Sequence, residues 1–105
     1  MRMLMLIRLP HETFNAAVKD GSADRKVQAI LDEAQPEAVY FTEMNGQRTT
    51  LLIVELESPS QIPGLAEPWF LNFNAKCELR VAMSPEDLQR AGLEDLGKKW
   101  GSAGR

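Results

Sequence analysis

The sequence predicts an α+β fold built around one antiparallel sheet, because a single succession of elements runs through it twice. A short apolar run, a helix-patterned stretch and a second apolar run occupy residues 3–43, and the same succession occupies residues 49–83. Together these elements follow the order β-α-β-β-α-β, which is the plan of a ferredoxin-like domain. We therefore expect four strands in the spatial order 4-1-3-2, two helical segments on one face, and an extra C-terminal helix.

In the first half of the chain, two strands flank a helical segment in two pieces. Residues 3–9 form an apolar run that Pro10 ends, since proline has no backbone N–H to donate to a sheet. Residues 11–34 carry apolar side chains at helical spacing, with a break expected at Gly21. Residues 38–43 have the β-branched and aromatic content of a strand.

In the second half, turn and capping residues mark the element ends clearly. The Asn45-Gly46 pair predicts a tight hairpin into a strand over residues 49–56, because both residues tolerate positive φ. The following helix, residues 58–74, begins with a capping box, and Pro68 predicts a bent or two-part helix.

The chain then alternates over residues 77–83, which indicates a fourth strand. The Ser84-Pro85 pair predicts the start of a last helix, which Gly92 interrupts. We expect one domain over residues 1–100 and a flexible tail over residues 101–105.

Composition excludes several classes of function. The 105 residues carry a net charge of −3 without a basic stripe, which argues against a nucleic-acid partner. The apolar runs are far shorter than the roughly 20 residues that span a bilayer, so no membrane partner is expected. A single cysteine, Cys77, permits no intrachain disulfide and favours a reducing, cytoplasmic location.

Strand alternation predicts two different sheet faces. The parity expected to face the helices comprises Met3, Met5, Ile7, Val39, Phe41, Leu52, Val54, Leu79 and Val81. The opposite parity comprises Leu4, Leu6, Arg8, Ala38, Tyr40, Thr42, Leu51, Ile53, Glu55, Glu78, Arg80 and Ala82. This second set is too apolar to suit bulk water and too charged for a dry core, which is typical of a partner surface or a pocket.

The order of elements over residues 3–83, with this half-apolar face, resembles the dimeric α+β barrel superfamily, and within it the bacterial families of unknown function. Its members pack two ferredoxin-like sheets face to face around a barrel-like interior. They include muconolactone-isomerase-like proteins, cofactor-free antibiotic-biosynthesis monooxygenases and haem-using relatives. The resemblance implies a homodimer but transfers no catalytic residue, since no catalytic signature aligns with this chain.

The candidate ligand-binding residues are Arg8, His11, Tyr40, Glu55, Glu78 and Arg80. Two arginines on the open face could hold a carboxylate bidentately. The alternative is that these charges form structural ion pairs, because buried charges are normally paired. Glu55 and Glu78 decide between the two: if they neutralise both arginines, no charge remains for a ligand.

Other chemistries have weaker support. His11 is the single histidine, and without an orienting partner it is better explained as a solvent-exposed residue at a helix start. One cysteine and one histidine do not make a structural zinc site, and Cys77 suits a buried thiol rather than a nucleophile. We predict no metal and no cofactor.

Two functions therefore compete. The first is a homodimer that binds a small, mostly apolar ligand, either neutral or anionic. In this hypothesis the protein is a candidate for a cofactor-free isomerase or a monooxygenase-like enzyme. The second is a non-catalytic interaction or regulatory module whose sheet face serves dimerisation alone. An electron-transfer or haem protein is a third hypothesis, supported by little beyond His11.

Overall fold

The structure is a computed structural model that describes residues 1–101. The described residues form four strands, five α-helices and one 3-10 turn. In chain order they are β1 (Arg2–Arg8), α1 (His11–Asp20), α2 (Ala23–Ala34), β2 (Ala38–Met44), β3 (Gln47–Glu55), the 3-10 turn (Pro59–Gln61), α3 (Ile62–Phe73), β4 (Lys76–Val81), α4 (Pro85–Arg90) and α5 (Leu93–Trp100). The predicted tail falls almost wholly outside the described residues.

The four strands make one antiparallel sheet in the order β2-β3-β1-β4, which confirms the predicted strand order. The first strand lies in the middle, paired with β3 on one side and β4 on the other. The sheet does not close on itself, so β2 and β4 are its two edges. Register follows from the short hairpin, where Asn45 and Gly46 have φ of 54° and 78°.

The break predicted at Gly21 is confirmed, whereas the second helical segment does not divide at Pro68. Gly21 adopts φ of 82° between α1 and α2, a left-handed conformation in which a side chain would be strained. The second segment starts with the predicted capping box and becomes a 3-10 turn followed by α3. The α3 helix runs through Pro68, and the side-chain amide of Asn72 donates to the Pro68 carbonyl at 2.7 Å.

The hydrophobic core lies between the sheet and helices α1 to α3. Its most completely buried side chains are Met5, Ile7, Leu52, Val54, Trp69 and Phe73. Two residues assigned to this face depart from prediction, because Phe41 and Val81 are 64% and 59% exposed. Both lie on edge strands, where the helices do not cover the sheet.

The last two helices form a C-terminal arm, residues 83–100, that follows the backbone hydrogen bond from Ala82 to Arg2 and makes few contacts with the rest of the described chain. A compact chain of about 100 residues has a radius of gyration of about 13 Å. Here it is 18.3 Å, and the longest dimension is 64 Å. The predicted cap at Ser84 is present, and Gly92, with φ of 71°, separates α4 from α5. The arm therefore projects from the body as a formed but isolated element.

The arm exposes most of its large apolar side chains. Leu88, Leu93 and Leu96 are all exposed, and Trp100 is 75% exposed. The indole ring of Trp100 contacts the ammonium of Lys99 at 5.2 Å rather than the body of the domain. A soluble chain rarely leaves such a stripe without a partner.

Candidate functional site

The open face is the side of the sheet opposite helices α1 to α3, and its side chains lie in three rows across the strands. The rows are Thr42–Thr49–Arg8–Lys76, Tyr40–Leu51–Leu6–Glu78 and Ala38–Ile53–Leu4–Arg80. The middle of the face is apolar, and every charged side chain of these rows lies on β1 or β4. Leu6 is buried by its neighbours within the single chain.

A charged cluster, made of Arg8, Lys76, Glu78 and Arg80, occupies the β4 side of the open face. Glu78 bridges the two arginines: Oε1 lies 3.1 Å from Nη2 of Arg8, and Oε2 lies 2.7 Å from Nη2 of Arg80. Lys76 stands directly opposite Arg8 in the register. Like charges opposite one another across a ladder are destabilising, so this pairing has a cost.

The cluster holds three cations and one carboxylate, which pairs with Arg8 and Arg80. Nε of Arg8 is buried and has no hydrogen-bond acceptor among residues 1–101. A buried donor without an acceptor costs roughly 1–3 kcal/mol, and more when it is charged. The cluster is therefore short of at least one acceptor.

Glu55 does not supply that acceptor. Its Oε1 lies 2.7 Å from the N-terminal ammonium of Met1, at the other end of β3 from the cluster. At the same end of the sheet, Nε of Arg2 donates to Glu37 at 3.0 Å. Each of these two pairs joins one cation to one carboxylate, whereas the charged cluster has more cations than carboxylates.

The structure brings together three of the six predicted ligand residues, Arg8, Glu78 and Arg80. Tyr40 lies three strands from Glu78 in the same row, about 14 Å away at the usual strand spacing. His11 is the exposed first residue of α1, and its side chain makes no hydrogen bond or ion pair within the described chain. These residues do not form one constellation.

The thiol of Cys77 is suppressed as a nucleophile. Burial raises its pKa from 9.0 to about 11, so the thiolate form is scarce near neutral pH. Across residues 1–101, no group of three histidine, cysteine, aspartate or glutamate side chains is placed to hold a metal ion. None of the helices in the described part of the chain has the length and apolar character needed to cross a bilayer.

Sequence analysis missed a second polar feature, on the other side of the sheet. An edge pocket of about 230 Å³ opens between helices α1 and α2 and the hairpin of β2 and β3. Two polar residues in its wall, Arg48 and Thr50, have the strand parity that faces the helices. A charged residue, Arg48, at the parity that faces the helices was the available signal.

The chain matches no protein-family model and no curated protein sequence. Among solved structures it is similar to the de novo designed protein Ferredog-Diesel, with 9% sequence identity and a TM-score of 0.43. That alignment covers 77% of this chain and 85% of the designed one. A similarity at this level says nothing about function, so the interpretation of the site depends on its own geometry.

Proposed function

We propose that the protein is a cytoplasmic homodimer that binds a small, mostly apolar anion beside the open face of its sheet. The fold of each subunit would be ferredoxin-like, and the pair would form a dimeric α+β barrel. The observation that carries the proposal is the unbalanced charged cluster, in which Arg8 and Arg80 share the one carboxylate of Glu78 and Lys76 stands opposite Arg8.

If a second subunit covers the open face, the excess of positive charge in the cluster becomes energetically unfavourable. A lone charge removed from water costs several kilocalories per mole, so an enclosed cation recruits an anion. Guanidinium groups bind carboxylates through two parallel hydrogen bonds, and Nε of Arg8 already lacks an acceptor. Next to the cluster, Leu4 and Leu51 provide an apolar wall. The ligand that fits is a monocarboxylate with an apolar body.

The sheet face by itself is small for a stable dimer. Four strands at about 4.8 Å spacing and seven residues at about 3.3 Å give a face of roughly 440 Å². A standard protein interface buries about 800 Å² on each partner. The exposed apolar stripe of the C-terminal arm would supply much of the difference. A second copy of the chain is the partner that satisfies both unpaired surfaces at once.

The alternative is a non-catalytic interaction module whose open face serves dimerisation alone. The bridging position of Glu78 favours it, since both arginines already have one partner. An enzyme of the cofactor-free isomerase or monooxygenase type would instead use the cluster to stabilise a developing enolate. A test of anion binding distinguishes the ligand-binding protein from the interaction module, because a purely structural cluster has no place for a ligand.

The test is calorimetric titration with octanoate, using octanol as the neutral control. We expect octanoate to bind and octanol to bind at least tenfold more weakly, because the head group meets the arginines. Arg8→Met and Arg80→Met should each lower octanoate affinity at least tenfold, about 1.4 kcal/mol. Arg25→Met, a charge change on the outer surface of α2, should leave it unchanged. Equal affinity in all variants would reject the open face as the site.

A further inference from the structure

The edge pocket lies within one subunit. Thr42 and Thr49 of the open face also line it, but the charged cluster of Arg8, Lys76, Glu78 and Arg80 does not. The walls of the pocket hold the apolar side chains of Leu9, Phe14, Val27 and Phe41 and four polar residues of the β2–β3 hairpin, among them Arg48 and Thr50. The 64% exposed ring of Phe41 stands at the uncovered sheet edge. The pocket is therefore accessible from solvent without any opening of the core.

Arg48 brings a cation to this pocket that no carboxylate neutralises. Its Nη1 donates to Oδ1 of Asn15 at 2.8 Å, and its guanidinium lies 4.9 Å from the centre of the Phe14 ring. Glu43 stands opposite Arg48 in the register but accepts from the N–H of Gly46 at 2.7 Å. No other carboxylate of residues 1–101 pairs with Arg48, so its remaining donors are available to an anion.

Thr50 provides a second, independent sign of a missing partner. Its side chain is 1% exposed, and its Oγ1 makes no hydrogen bond with any residue in the described range. In the ladder it lies between Phe41 and Ile7, so its surroundings on the sheet are apolar. Burying a hydroxyl without a hydrogen-bond partner is unfavourable. A ligand oxygen that accepts from Thr50 would recover that cost.

The size of the pocket limits the ligand to about one ring. A cavity of about 150 Å³ lined by apolar side chains holds benzene, and sites for drug-sized molecules start near 300 Å³. The edge pocket, at about 230 Å³, falls between these values. Rings of Phe14 and Phe41 line it, and aromatic pairs gain from offset or edge-to-face contact.

We propose that the edge pocket is a binding site for a small aromatic carboxylate. The carboxylate accepts from the guanidinium of Arg48 and from the hydroxyl of Thr50, and the ring packs against Phe14, Val27 and Phe41. The site is complete in one subunit, so it does not depend on the dimer or on the open-face ligand.

Benzoate titration followed by ¹H–¹⁵N correlation spectra tests the proposal, with benzamide as the neutral isostere. We expect the largest shifts at Phe41 and Thr50, and at least tenfold weaker binding of benzamide. Arg48→Met and Thr50→Val should each reduce benzoate affinity at least tenfold. Thr50→Val keeps the shape of the side chain, so it remains informative if Arg48→Met unfolds the edge.

Arg25→Met is the matched control, because it removes a surface cation from α2 without touching the pocket. An equal loss of affinity in Arg25→Met would indicate general charge attraction and overturn the proposal. Shifts centred on Arg8 and Glu78 would assign benzoate to the open face and also overturn it. Failure of octanoate to bind the open face would leave these shifts and variant effects unchanged, so the two proposals fail separately.

Discussion

Leu51→Glu is expected to convert the proposed homodimer into a monomer. Leu51 lies in the middle row of the open face, between Tyr40 and Leu6, where the proposed interface is most apolar. Two-fold symmetry would bury the new carboxylate twice, each time without a partner. An uncompensated buried charge costs about 3–5 kcal/mol, so the dimer should weaken by at least a thousandfold. Sedimentation velocity across a concentration series measures the change.

The control for Leu51→Glu is Ala16→Glu, which places the same charge on the exposed surface of α1. We expect Ala16→Glu to sediment like the parent. Circular dichroism should show that both variants keep the parental secondary structure, since Leu51 is on the solvent side of the sheet rather than in the core. A dimer of Leu51→Glu with parental affinity would remove the open face from the interface.

The second large effect is expected from the arm. The double substitution Leu93→Glu and Leu96→Glu replaces two exposed apolar side chains of α5 with charges. Burying a leucine contributes roughly 1.5–3 kcal/mol, and a symmetric dimer loses each contact twice. We therefore expect at least a hundredfold weaker dimer in sedimentation equilibrium. The thermal melting of the dilute monomer should stay the same, because the arm makes few contacts with the body.

Gln89→Glu is the matched control for the arm, since it adds a charge at an already polar, exposed position. Parental association of Gln89→Glu together with weak association of the double variant would assign the effect to the apolar stripe. If the double variant instead lowers the melting temperature of the monomer, the arm folds back on its own subunit in solution, and the proposed role of the arm in the dimer interface is wrong.

Local chemistry accounts for what the sequence predicted well. The order and pairing of the strands follow from alternation and from the Asn45-Gly46 turn, which needs positive φ at both residues. The division of the first helical segment follows from Gly21 for the same reason. The presence of Arg8, Glu78 and Arg80 on the same face of the sheet was predictable, because alternation along a strand decides which face a side chain occupies.

Features that depend on the relative placement of elements were not predictable. Periodicity shows that Phe41 and Val81 face the helices, but it does not show where the helices stop covering the sheet. The pairing of Glu55 with Met1 rather than with Arg8 or Arg80 depends on the positions of individual side chains along the sheet, which strand parity does not give. The arm projects because α4 and α5 make few contacts with the body. Amphipathic spacing does not predict this, because it is the same whether a helix packs on its own domain or on a partner chain.

Native mass spectrometry of the parent chain with octanoate tests the central claim most directly, because one spectrum reports both assembly and ligand. We expect a dimer at micromolar concentration that retains octanoate, with neither octanol nor the Arg8→Met variant giving the same adduct. A chain that stays monomeric at high micromolar concentration, or a dimer that retains octanoate and octanol equally, would contradict it.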